Sequence, residues 1–224
     1  MTTGTALETP RTSRAALAAA LLALGCGSNA PEVPDELLAT DSGCGAPAYP
    51  DAGIGSEVGD VLENQCFTGY RAPARAKPSA ATRETLAFSD YYDPVGTKGA
   101  TLLLVNTAAI WCGACISEHH DLPARQAQLG EQGLVIFTTL LQDAKRDPAS
   151  LEDVENWIGK FGTNFPIVND PEQHLTDYSP PELAPLNMVI DARSMKILQK
   201  YEGDQGEVMW PYIESVLAAR AASR

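Results

Sequence analysis

Two stretches, ATLLLVNTA (residues 100–108) and LVIFTTLL (134–141), are continuous apolar runs of strand length. A strand that is apolar at nearly every position, rather than at alternate ones, is buried on both faces. Both runs lead into helical patterns. The first precedes a helix predicted through about residue 130 and ended by GEQG. The second precedes DPASLEDVENWIGKFG, with Ser150 as candidate N-cap, acids in the first turn and Gly162 after the last. NFPIVND reads as a short strand. LNMVID and MKILQKY read as a hairpin joined by ARS, and GEVMWPYIESVLAARAA as a closing helix with Pro211 near its start. Ahead of them, LAFSDYYDP reads as a short strand and RAPARAKPSAATRET as a loop. The core order β-α-β-α-β-β-α implies an α/β fold, a central sheet with helices on both faces.

At 224 residues and 44% hydrophobic composition, the chain suits one globular domain with extra segments. The net charge of −13 argues against a nucleic-acid surface, which needs a basic stripe, and against electrostatic binding to anionic lipid. The first 25 residues differ in kind. Arg11 and Arg14 precede AALAAALLALG, a charge-free run too short to span a bilayer. Residues 1–25 therefore read as a signal peptide, whose removal with Arg11, Arg14 and Glu8 takes the net charge to −14. ALGC (23–26) resembles the lipobox of bacterial lipoproteins, with Ala23 where leucine is commonest. That resemblance implies lipidation of Cys26, a tether over 26–56 and a folded domain over 57–224.

Five cysteines leave one over in an exported chain. With Cys26 lipidated, Cys112 and Cys115 pair by proximity, and Cys44 and Cys66 form the second pair, a structural disulfide. The first pair lies in AAIWCGACISEHH (108–120), between a buried strand and a helix. A cysteine at the first turn of a helix faces unpaired backbone N–H groups and the positive end of the helix dipole, and both favour the thiolate. Cys112 is therefore the expected attacking sulfur, with Cys115, one turn further in, as the resolving thiol.

Trp111-Cys112-Gly113-Ala114-Cys115, placed this way, resembles the active site of the thioredoxin superfamily. More narrowly, it is similar to the exported, membrane-anchored thiol–disulfide oxidoreductases of the TlpA and ResA type, over roughly residues 57–222. The resemblance implies a thioredoxin-like central mixed sheet with helices on both faces. It implies exchange with protein thiols and disulfides, reduction as the expected direction, an upstream membrane electron donor, and no cofactor or resident metal. It places Trp111, Gly113 and Ala114 at the substrate surface. Ala184 becomes the backbone contact to substrate and Pro185, before LNMVID, the cis-proline. Glu118 becomes a proton acceptor for Cys115, three residues away on the same helical face. Where thioredoxin carries a buried aspartate, this chain has Asn106. Two further departures are TAA (107–109) in place of the usual FWA, and His120 in place of the usual helix proline, with Pro123 three residues on.

Three rivals have less support. The proline and threonine of a peroxiredoxin P-x-x-x-T-x-x-C fall on Val105 and Ala109 before Cys112, and on Ala108 and Cys112 before Cys115. A metal (copper) chaperone would draw on Cys112, Cys115, His119 and His120, but adjacent histidines point about 100° apart on a helix, and copper chaperones of the Sco type space their cysteines one residue wider. His119 and His120 read instead as solvated helix positions. A non-catalytic binding lipoprotein with an inert disulfide is the third.

Overall fold

The computed structural model describes residues 1–2, 44 and 48–222. Cys26, nearly all of the leader and most of the tether lie outside the described residues. Seven strands form one mixed sheet: β1 Cys66–Tyr70, β2 Glu84–Ala87, β3 Leu102–Ala109, β4 Leu134–Gln142, β5 Ile167–Asn169, β6 Leu186–Asp191 and β7 Ile197–Glu202, in the order β2-β1-β5-β4-β3-β6-β7. The helices are α1 Gly113–His119, α2 Leu122–Leu129, α3 Leu151–Phe161 and α4 Gly206–Ala222. β3, β4 and β5 run parallel, while β1 and β6 run antiparallel to their neighbours.

The continuous apolar runs occupy the middle of this sheet. All eight residues of β3 are buried, which requires cover on both faces. The register of β3 on β6 sets Asn106 opposite Asn187, two buried amide side chains on largely apolar strands.

Local chemistry fixes the helix ends. Ser150 Oγ accepts from Asp153 N–H, and Asp153 Oδ2 accepts from Ser150 N–H at 2.8 Å, so the start of α3 satisfies two donors reciprocally. Gly162 ends the helix in the left-handed region, at φ 64°. Val154, Trp157, Ile158 and Phe161, spaced three and four apart, are its buried face. The helix predicted to run from the cysteines through about residue 130 is two helices. The chain turns at His120 and Asp121, and Pro123 sits in the first turn of α2, where its missing N–H breaks no helical bond.

Folded structure also begins earlier than the sequence pattern suggests. Tyr49 donates its hydroxyl to Leu62 O at 2.6 Å and packs its ring edge-on to Tyr92. Lys200 Nζ donates to Ser56 O at 2.8 Å, so the end of the expected tether lies against the domain. Cys44 is disulfide-bonded to Cys66 at the start of β1.

Candidate active site

The site forms where β3 ends and α1 begins. Cys112 is the N-cap of α1: its backbone is extended, and its Sγ accepts the Cys115 N–H at 3.0 Å. Cys112 and Cys115 are joined as a disulfide, and Cys115 is the more deeply buried, at 0% exposure against 4%. An N–H aimed at Cys112 Sγ stabilises negative charge there once the bond opens. Gly113 is exposed, and a Cβ added to it would meet nothing within 4 Å; Ala114 is half-buried. The dipeptide between the cysteines thus faces outward.

Two loops frame the sulfurs. Trp111 donates its indole N–H to Gln142 Oε1 at 2.9 Å, and the Arg146 guanidinium lies 4.0 Å above its ring. Across the pair, the Ala184–Pro185 peptide is cis, and Ala184 O lies 3.4 Å from Cys112 Sγ. Pro185 is buried and Ala184 half-buried. The Ala184 N–H donates to Pro181 O at 3.1 Å, so in this state its amide is engaged within the chain.

Behind the pair lies Glu118, 7% exposed. Its Oε2 accepts from Asn106 Nδ2 at 2.8 Å and its Oε1 from Asn187 Nδ2 at 2.6 Å. Burial pushes its carboxyl up to about 7, against the pull of the two asparagine donors; the Asp204 charge adds a smaller upward push.

The reading of His119 as a solvated position is wrong. Adjacent residues on a helix diverge by about 100°, so while Glu118 turns toward the sheet, His119 turns toward α3. There it is fully buried, ring edge against Trp157 at 5.0 Å, with Nδ1 2.9 Å from Cys115 O. Burial lowers its pKa to about 4, so the ring is neutral, with Nδ1–H donating to the Cys115 carbonyl. His120 is exposed, as read. Among the described residues no group of three or more His, Cys, Asp or Glu side chains is gathered as a metal site.

The sequence reading missed Asn187, Thr138, Gln142 and Arg146. For Asn187 and Thr138 a signal existed: a polar residue inside a strand buried on both faces must find a partner, and two such residues imply each other or a third. Nothing local marked Gln142 or Arg146.

A mixed seven-stranded sheet with a C-x-x-C at the start of a helix and a cis-proline facing it defines the thioredoxin-like fold. Solved structures with this fold bear out that assignment. A Bacteroides sp. thiol:disulfide interchange protein superimposes with TM-score 0.53 at 16% identity, covering 74% of this chain and 93% of that one. A Chlorobium tepidum protein assigned as a thiol:disulfide interchange protein DsbE gives 0.54 at 16%, covering 72% and 98%. The thioredoxin domain of a Bacteroides vulgatus thiol-disulfide oxidoreductase gives 0.50 at 15%, covering 72% and 98%. No family model and no curated relative matches the sequence.

Proposed function

We propose that the chain is a thiol–disulfide oxidoreductase acting on exported proteins, held at a membrane through lipidated Cys26 and working as a reductant fed by a membrane electron donor. The observation that carries the activity is Cys112 as helix N-cap, its sulfur receiving the Cys115 N–H beside the cis Ala184–Pro185 turn. Structural neighbours that are a thiol:disulfide interchange protein and the thioredoxin domain of a thiol-disulfide oxidoreductase are consistent with it. For the attachment, the leader and Cys26 sequence are the support; no helix among the described residues is long and apolar enough to cross a membrane.

The Cys112 thiolate attacks one sulfur of a client disulfide. A Cys112–client bond forms, and the other client sulfur leaves with the electron pair and takes up a proton. Cys115 then passes its S–H proton to Glu118, and its thiolate attacks Cys112 Sγ. The Cys112–Cys115 bond closes, the mixed disulfide breaks, and the second client sulfur leaves as a thiolate. The client has gained two electrons and the chain has lost them. A carboxyl whose pKa lies near 7 suits a proton acceptor for a thiol, because it is substantially ionised at neutral pH yet basic enough to compete.

A redox titration of the full chain in thiol buffers, followed by Trp111 fluorescence and alkylation of free thiols, tests this reading. A reversible two-electron couple near about −270 mV supports the reductant, and one near about −120 mV makes the chain an oxidant. Absence of a reversible couple short of unfolding refutes catalysis. In single turnovers, Cys112→Ser abolishes exchange and Cys115→Ser accumulates trapped mixed disulfides.

A further inference from the structure

The polar groups beneath Cys115 form a chain with a direction. Thr138 Oγ1–H, from β4, donates to Asn106 Oδ1 at 3.0 Å. That turns the Asn106 amide nitrogen away from Thr138, and its two hydrogens go to Glu118 Oε2 and to Asn187 Oδ1, at 2.8 and 2.9 Å. The Asn187 oxygen is thereby engaged, which leaves its nitrogen to reach Glu118 Oε1 at 2.6 Å. Every bond points toward the carboxylate. Turning either amide over would set an oxygen against a carboxylate oxygen and strip Thr138 or Asn106 of its acceptor. Asn106, Thr138 and Asn187 are all 1% exposed or less, so no water substitutes for a lost partner without rearrangement.

We propose that Asn106 and Asn187, oriented by Thr138, are positioning residues that hold Glu118 as an acceptor-only carboxylate beneath Cys115, so that the proton it takes from Cys115 must lie on its side away from the two asparagines. The proposal deepens the oxidoreductase reading and rests on it for the identity of the proton donor. The geometry itself stands without it: two amide NH₂ groups on two registered strands, each facing one oxygen of the same carboxyl.

Glu118 also lines a cleft of about 270 Å³ between α1 and the start of α4, together with Ser117, Asp121, Arg125, Asp204 and Glu207, with Trp210 at its wall. The charged groups facing Glu118 are thus Asp121 and Arg125 from the α1–α2 turn and α2, and Asp204 and Glu207 from the β7–α4 side. Arg125 is tied to Glu214 at 3.2 Å and lies 4.9 Å over Trp210. Among the described residues, the groups hydrogen-bonded to Glu118 from the sheet side are the two asparagines. Burial and Asp204 oppose ionisation, and the asparagine donors support it.

The test is the titration of the Glu118 carboxyl carbon by ¹³C NMR in the oxidised full chain, its signal assigned by its loss in Glu118→Gln. Thr138→Val is near-isosteric and removes only the hydroxyl that orients Asn106; Asn187→Leu removes a donor outright. Hydrogen bonds to charged groups are strong enough that losing the Asn187 donor is expected to move the midpoint up by about one pH unit or more. Thr138→Val is expected to move it the same way by less, because the freed Asn106 amide can then turn its oxygen to the protonated acid. An unmoved midpoint in Thr138→Val overturns the directed chain, and an unmoved midpoint in folded Asn187→Leu overturns the clamp. The pH profile of mixed-disulfide release is read in the same variants. If it follows the carboxyl midpoint, the positioning role in catalysis is supported. If the midpoint moves and the release profile does not, Glu118 is not the proton acceptor, and that step of the oxidoreductase reading falls while the clamp stands.

Discussion

Glu118 and His119 are neighbours in sequence, buried on different faces of α1, and shifted in ways that oppose each other. Burial raises the Glu118 carboxyl from 4.5 to about 7 and lowers the His119 imidazole from 6.5 to about 4. Between pH 4.5 and 7 the folded chain keeps a proton on Glu118 that the unfolded chain has released, so this group makes stability fall as pH rises. Between pH 4 and 6.5 the unfolded chain carries a proton on His119 that the folded chain lacks, so this group makes stability rise with pH. Each shift spans two to three pH units, which corresponds to about 3 kcal/mol. Over their common range, pH 4.5 to 6.5, the two slopes cancel, and the pair contributes almost no pH dependence.

Single variants expose the hidden slopes. Urea unfolding of the oxidised protein at intervals from pH 4 to 8 gives the stability curve of each chain. Relative to wild type, Glu118→Gln is expected to gain about 3 kcal/mol as pH rises through the window from 4.5 to 7. His119→Phe is expected to lose a similar amount, about 3 kcal/mol, as pH rises from 4 to 6.5. The slopes are the observable, not the offsets. A glutamine at 118 sets its own NH₂ against one asparagine NH₂, and that clash lowers stability at every pH alike. Because both groups are buried, added salt leaves the slopes largely in place. A Glu118→Gln curve parallel to wild type across the whole range refutes the reasoning, since it means the carboxyl is not perturbed by the fold.

Two further predictions concern the frame around the site. Gly69 on β1 faces β5 so closely that an added Cβ would meet Val168 Cγ1 at 2.7 Å and run into the Ile167 carbonyl oxygen. Gly69→Ala is therefore expected to push β1 off β5 and cost about 1–3 kcal/mol, read by urea unfolding; an unchanged midpoint would show that β1 yields freely. Cys44→Ser opens a disulfide spanning 22 residues and is expected to cost about 3 kcal/mol in the chain-entropy account, while alkylation still counts one reversible couple at Cys112 and Cys115.

The central pair of strands was legible because Leu102–Val105 and Leu134–Phe137 leave no polar face to put in water, and α3 because Ser150 and Gly162 mark both its ends. The C-x-x-C and the proline ahead of LNMVID carried the outline of the site. What stayed hidden depended on partners far along the chain. β1 is five residues long, and nothing in Cys66–Tyr70 announces that it pairs with both β2 and β5; the strand read at LAFSDYYDP holds only at Leu86 and Ala87, the end of β2, after which Phe88–Tyr91 wind into a 3-10 helix. The solvated reading of His119 failed for the same reason: a polar residue beside another on a short helix gives no sign that Trp157 and Phe161 will close over it. Asn187 lies 69 residues from Glu118, and only the β3–β6 register brings them together.

That register has a chemical consequence. The sulfurs sit at a helix start whose intervening residues, exposed Gly113 and half-buried Ala114, lie outside the sheet. The Glu118 carboxyl is different: it rests on Asn106 and Asn187, side chains of two paired central strands, with Thr138 on a third. On the proposed function, reduction potential is tuned at the helix start and the dipeptide, whereas the protonation of Glu118 is set by side chains of the central sheet. A chain built this way can vary the residues at its helix start without disturbing the donors to its buried carboxyl. Displacing either strand by one residue removes one of those donors, because its asparagine would then face the opposite side of the sheet.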